Sequence, residues 1–184
     1  MNMNKKALLK IIFVFILCVL CITGNSQSKE RDALSDRSSK SDIDITRLEK
    51  KIHDLVNKER AKRGLSVLSW DKSLHKVARN YSQDMVERNF FSHNDPDGSS
   101  FYDRYKAERI ECRIRVGDTT CLGAENISQD NLGNAEGKIA ESVVKRWMNS
   151  KGHRANILTP YFKRQGIGAA FSNDGKVYVT ENFC

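Results

Sequence analysis

The chain has 184 residues with 31 Lys and Arg against 23 Asp and Glu, a formal charge of +8, and 39% hydrophobic residues. The length suits one ordinary domain behind a leader, and no internal repeat or low-complexity tract points to a solenoid or fibrous chain. The positive balance does not mark a nucleic-acid binder. Basic and acidic residues alternate, as in KKIHDLVNKERAKR and DRYKAERIECRIR, the pattern of solvated helix faces.

In chain order, residues 1–24 read as a signal peptide or N-terminal anchor. Lys5, Lys6 and Lys10 precede an apolar run from Ile11 to Ile22, shorter than the ~20 residues that span a bilayer as a helix. Cys21 loosely suggests a lipid-attachment site, although Leu20 before it is not small. Loss of the three lysines would lower the formal charge from +8 to +5. The expected destination is secretion or attachment to the outer face of the cell membrane, with membrane association only through this segment. Residues 25–42 are polar throughout and read as a disordered linker, because such a stretch buries too little apolar surface to offset its ordering entropy. Residues 43–184 form the expected domain.

Within it, Asp44–Arg63 is expected as a helix with Ile45, Leu48, Ile52, Leu55 and Val56 on one stripe and Gly64 as its stop. His53, beside Ile52, reads as exposed or packing. Lys72–Arg88 is a second helix with Leu74, Val77, Ala78, Tyr81 and Met85 inward; His75 falls off that stripe and reads as surface. Ser99–Lys106 is a short helix with Phe101 and Tyr102 turned inward. Glu136–Ser150 is a third strong helix, and Gly152 reads as a stop signal beside His153. Two strands, Gly166–Phe171 and Lys176–Phe183, flank the hairpin turn Asn173-Asp174-Gly175. Helices followed by a closing hairpin predict an α+β fold or an α-β-α sandwich.

Three cysteines, at 112, 121 and 184, lie beyond the leader, and an oxidising compartment would pair two of them. Cys112 and Cys121 bracket RIRVGDTT, a hairpin-like loop, so a local bridge is favoured, worth roughly 2–3 kcal/mol by loop closure. Cys184 is then a spare thiol; its pairing with either loop cysteine is the alternative.

Of the four histidines, His93 sits in FFSHNDPDG, before the Asp97-Gly98 turn, and His153 in WMNSKGHRANIL. Two histidines in two separated turn contexts point to a site assembled from distant segments. These blocks, with VNKERAKRGLSVLSWDKSLHKVARNYSQDM, GAENI and GIGAAFSNDGKVYVTENF, stand in an order that resembles the CAP superfamily, the cysteine-rich secretory, venom antigen and pathogenesis-related proteins, in its prokaryotic form. The resemblance covers nearly all of 45–184. It implies a three-layer α-β-α sandwich with a central antiparallel sheet, and a cleft lined by two histidines and two acids. Residue by residue, His93, Glu125 and His153 match three of these. The second acid falls on Ser150, and Glu141, six residues before Trp147, is not a substitute for it. The expected cleft is a triad with Ser150 at its edge.

Two imidazoles and a carboxylate could hold Zn²⁺ or another divalent cation with an open position, although no HExxH spacing fixes two ligands on one helix turn. The plainer reading is a mutually satisfied polar cluster that fixes loops. A serine hydrolase built on Ser92 or Ser150 lacks a GxSxG elbow. Phe90, Phe91, Phe101, Tyr102, Tyr161 and Phe162 offer apolar surface, most of it more simply core. The expected function is a monomeric, non-catalytic extracellular binding module that needs no cofactor and takes a small ligand, lipid, glycan or surface partner. The alternative is a metal-dependent hydrolase of peptide or cell-wall material using His93, Glu125 and His153.

Overall fold

The computed structural model describes residues 43–131 and 136–184. The expected leader and linker lie outside them. In chain order the elements are α1 (Ile45–Ala61), β1 (Ser69–Trp70), α2 (Lys72–Glu87), α3 (Phe101–Ala107), β2 (Ile114–Val116), β3 (Thr119–Cys121), β4 (Ala124–Asn131), α4 (Glu136–Asn149), α5 (Lys151–Ile157), β5 (Arg164–Phe171) and β6 (Lys176–Phe183).

Local chemistry sets the helix starts. Asp44 accepts from the amides of Thr46 (2.8 Å) and Arg47 (3.2 Å), and Asp71 from those of Ser73 (2.8 Å) and Leu74 (2.9 Å). Ser100 and Asp103 form a reciprocal capping box. α1 stops as expected: Gly64, at φ +69°, donates to Ala61 O.

The main sheet has the order β1-β5-β6-β4 and is antiparallel except for the two-residue β1, which runs parallel to β5. One layer of helix, α1 and α4, covers it with Leu48, Ile52, Val56, Ile139, Val143 and Trp147, which pack on Ile167, Val177, Val179 and Phe183. On the opposite face α2 sets Tyr81 and Met85 against Ile127 and Tyr178, while its Leu74 and Val77 pack on Tyr105 of α3. This is the expected three-layer sandwich. The approach of α2 to β5 depends on missing side chains. A Cβ at Gly166 would lie 2.0 Å from His75 N, and one at Gly168 2.0 Å from Arg79 N. The GIGAAF run therefore lets a helix backbone rest directly on a strand.

Several local expectations change. β4 was not anticipated: AENISQDN is too polar to read as a strand, yet it pairs with β6 over its full length. The helix break falls at Ser150 rather than at Gly152, which sits inside α5. In α3 the fully buried aromatic is Tyr105, while Phe101 and Tyr102 are partly exposed. Among the other candidate aromatics Phe162 is core, whereas Phe91 and Tyr161 are exposed.

The disulfide joins Cys112 to Cys184, not to Cys121, which is a half-buried free thiol. The backbone dictates this pairing. Cys184 N donates to Arg164 O, and Lys163 N donates to Cys184 O, both at 2.9 Å, so the last residue continues the sheet. Its side chain then meets the segment after α3 with a Cα–Cα separation of 5.5 Å, while Cys121 is paired with Ile114 in the small hairpin. The bridge spans 72 residues, and loop closure of that size is worth about 4 kcal/mol.

Candidate functional site

His93 lies on the segment between α2 and α3, which has no regular structure and is held by side chains. Tyr81 Oη donates to Ser92 O (2.6 Å) from α2. Asp95 Oδ1 accepts from the amides of Asp97 (3.0 Å) and Ser99 (2.8 Å), closing the turn. From α3, Arg104 donates to Ser99 O (3.0 Å) and to His93 O (3.1 Å). Its guanidinium carbon lies 3.3 Å from the Tyr81 ring centroid, a stacked cation over an aromatic face. Burial pushes the Tyr81 hydroxyl up to about 12, so it stays a neutral donor.

Glu125 enters from β4 with its side chain only 1% exposed. Burial of a carboxylate demands partners, and it has two. Oε1 accepts from His93 Nδ1 at 3.0 Å, and Oε2 from Arg104 Nη2 at 2.7 Å. Arg104 was missed by the sequence reading. Its only signal was position, one residue before the buried Tyr105 on an amphipathic turn.

His153 comes from α5, the short helix that follows α4 after a break at Ser150. Its ring centroid is 6.2 Å from that of His93, at 55° between planes. Burial first, and the neighbouring His93 second, hold its pKa below the ordinary histidine value. Asn126 Nδ2 donates to His153 O at 3.3 Å, and Asn156 Nδ2 to Asn126 Oδ1 at 2.9 Å, tying α5 to β4. Thus the fold sets His93 between Glu125, at 3.0 Å, and His153, with ring centroids 6.2 Å apart. Ser150 is the N-terminal cap position of α5 and makes no side-chain cap hydrogen bond. Ser92 Oγ accepts from Asn94 N at 3.2 Å, which makes it a turn residue.

The arrangement fixes chemistry. With Nδ1–H committed to Glu125, His93 leaves Nε2 free of that contact on a side chain that is 50% exposed. His153 contributes a second imidazole, its pKa held below the ordinary histidine value. A divalent cation fits this set poorly: both Glu125 oxygens are engaged, one by a cation already. Among the described residues no three His, Cys, Asp or Glu side chains are grouped to hold a metal ion.

The other two histidines are elsewhere. His53 is buried and accepts from Gln165 Nε2 at 2.8 Å, a packing role. His75, expected at the surface, is half-buried and bonds Ile167 O through Nδ1 at 2.6 Å.

Residues 53–183 match the family model of the cysteine-rich secretory protein family, CAP. The chain belongs to the CAP family. Among curated proteins it is 37% identical over 137 residues to the uncharacterized protein YkwD of Bacillus subtilis, a match covering 74% of this chain and 47% of that one. Among solved structures it is similar to an extracellular protein containing an SCP domain from Bacillus anthracis, with 29% identity and a TM-score of 0.59 over 76% of this chain and 40% of that one. An outer surface protein from Borrelia burgdorferi has the same fold, with 20% identity and a TM-score of 0.63 over 77% of this chain and 94% of that one. This CAP chain spans less than half the length of the curated relatives it matches.

Proposed function

We propose that this CAP domain is an extracellular, non-catalytic binding module, and that its cleft takes a small hydroxyl- or carbonyl-bearing ligand of glycan or lipid character between His93 and His153. One observation carries the reading. Glu125, the acid of the cleft, is neutralised by Arg104 and spent on orienting His93, so it is not a free base or a cation ligand. What is left is a pair of neighbouring imidazoles, that of His93 oriented by Glu125, suited to hydrogen-bonding an uncharged polar group. Phe91, two residues before His93 in the chain, is exposed and packs against Tyr178. The expected export of the chain agrees with the extracellular SCP-domain protein it is similar to. No helix among the described residues is long and apolar enough to cross a membrane.

The test is histidine-ring NMR on the protein titrated with soluble cell-wall oligosaccharides and with a medium-chain fatty acid, alongside assays for product. Shifts confined to His93 and His153, without turnover, are expected. Zinc-dependent hydrolysis that His153→Ala abolishes while the variant keeps its melting temperature would overturn the proposal in favour of a metal-dependent hydrolase.

A further inference from the structure

Beneath the cleft, on the sheet face covered by α1 and α4, lies a carboxyl group that the site itself does not touch. Glu181 of β6 is fully buried. Its register partners are Asn126 on β4 and Ile167 on β5. Asn126 Nδ2 donates to Glu181 Oε2 at 3.0 Å, and the same amide nitrogen donates to His153 O. The other side of the Asn126 amide, Oδ1, accepts from Asn156 Nδ2, which also reaches Glu125 O at 3.3 Å. A continuous polar chain therefore runs from Glu181 through Asn126 to two points on α5, the helix that carries His153.

We propose that Glu181 is a positioning residue for the cleft: by fixing the amide of Asn126 it sets α5, and so the placement of the His153 imidazole against His93. The proposal rests on the cleft being the functional site, but its test does not need a ligand. α5 has only seven residues, too few to hold its own geometry in water. Its position is imposed from outside. Arg60 of α1, also fully buried, grips the far end by donating to Ile157 O (2.6 Å) and Thr159 O (2.8 Å). Asn126 holds the helix through His153 O and the Asn156 side chain. An amide has two distinguishable sides, and it holds both contacts at once only in one orientation. Glu181 Oε2 favours that orientation because it accepts where Nδ2 donates.

The charge state of Glu181 makes this arrangement sensitive to pH. Burial pushes its carboxyl up to about 8, against the hydrogen bond from Asn126 and the charge of Arg60. Among the described residues Arg60 is the charged group acting on it; its register partners Asn126 and Ile167 do not titrate. Below that range Glu181 is neutral, and the relay works as a set of neutral hydrogen bonds.

The experiment is a titration of the histidine rings of the full chain by NMR from acid to mildly alkaline pH, in four proteins: the wild type, Glu181→Gln, Glu181→Leu and Asn156→Ala. In the wild type, His153 should titrate below the ordinary histidine value and then shift a second time as Glu181 ionises. Glu181→Gln, which keeps an acceptor but no ionisation, should retain the low His153 value and lose the second inflection. Glu181→Leu and Asn156→Ala should raise the His153 value by about half a pH unit or more as α5 loosens and its ring gains water. If Glu181→Leu fails to fold, the half-buried Asn156→Ala cuts the same relay at its outer link. A folded Glu181→Leu or Asn156→Ala with unchanged His153 titration, or a second inflection that persists in Glu181→Gln, overturns the proposal. Failure of every ligand to bind would overturn the binding reading and leave this result standing.

Discussion

Two buried carboxylates in this molecule have nearly the same partners and opposite uses. Glu49 of α1 and Glu125 of β4 each have a side chain 1% exposed, each pairs with an arginine, and each has a histidine beside it. Around Glu49 the arginine is Arg79 and the histidine His75, whose Nδ1 stands 3.9 Å away. The difference lies in what else the oxygens accept. Glu49 Oε1 takes the backbone N–H of Ala169 at 2.9 Å, and His75 bonds the carbonyl of Ile167. β1 covers β5 only at Arg164 and Gln165, so these two side chains complete an open strand edge that would otherwise expose unpaired groups. Glu125 instead gives both oxygens to side chains and holds a half-exposed imidazole toward its twin. The same triad of residue types closes a sheet in one place and presents a surface in the other. Arg-Glu-His composition alone is therefore no sign of a site; the backbone contacts decide.

That contrast can be broken most forcefully at the structural centre. Glu49→Ala strands the Ala169 amide and removes the partner of Arg79, and it should cost about 3 kcal/mol, read as a fall in the denaturant midpoint. Exchange of the Ala169 amide should accelerate in step, since its acceptor is gone, while ligand shifts at His93 should persist.

A third buried carboxyl sharpens the comparison because, among the described residues, it forms no salt bridge. Glu181 has a folded-state pKa near 8 against an ordinary 4.5. Folded protein then holds a proton that unfolded protein releases, so the stability from this group is full below about 4.5 and is lost as pH rises through about 8. Glu181→Gln removes the slope. Relative to wild type it should be increasingly stabilised across that window, by on the order of a few kcal/mol at its upper end. Thermal melts at three pH values check the sign.

The legibility of the molecule follows the same division. Amphipathic stripes and an Asn-Asp-Gly turn disclosed α1, α2, α4 and the β5–β6 hairpin, because apolar burial leaves a period in the sequence. β4 left none: Glu125, Asn126 and Ser128 are buried through partners far along the chain. Likewise, nothing local shows that Cys184 meets Cys112, since strand pairing of the last residue brings them together. The cleft residues were reached through motifs matched to a family, whereas Arg104 lies outside those motifs and Glu181, inside GIGAAFSNDGKVYVTENF, carried no site role there. Their roles arise from the contacts of folded elements.

Smaller effects separate the two histidines. His75→Ala leaves the Ile167 carbonyl without its side-chain partner and removes a ring packed 4.9 Å from that of Trp70. A loss of about 1 kcal/mol is expected. It should appear in equilibrium unfolding with no change in the His93 ring signals.

His93→Ala should do the reverse. The side chain is half-exposed and its segment keeps the bonds from Tyr81, Asp95 and Arg104, all of which reach other atoms. Glu125 loses one hydrogen bond but retains Arg104 on Oε2 and gains access to water where the ring stood. The expected change in stability is within about 0.5 kcal/mol, below that of His75→Ala, although the variant removes half of the imidazole pair. The decisive observation is at His153. Loss of a neighbouring group that disfavours its protonation should move its titration up toward the ordinary value. Were His93→Ala to unfold the domain as strongly as Glu49→Ala, the cleft would be a structural cluster like its counterpart, and the distinction between the two centres would fail.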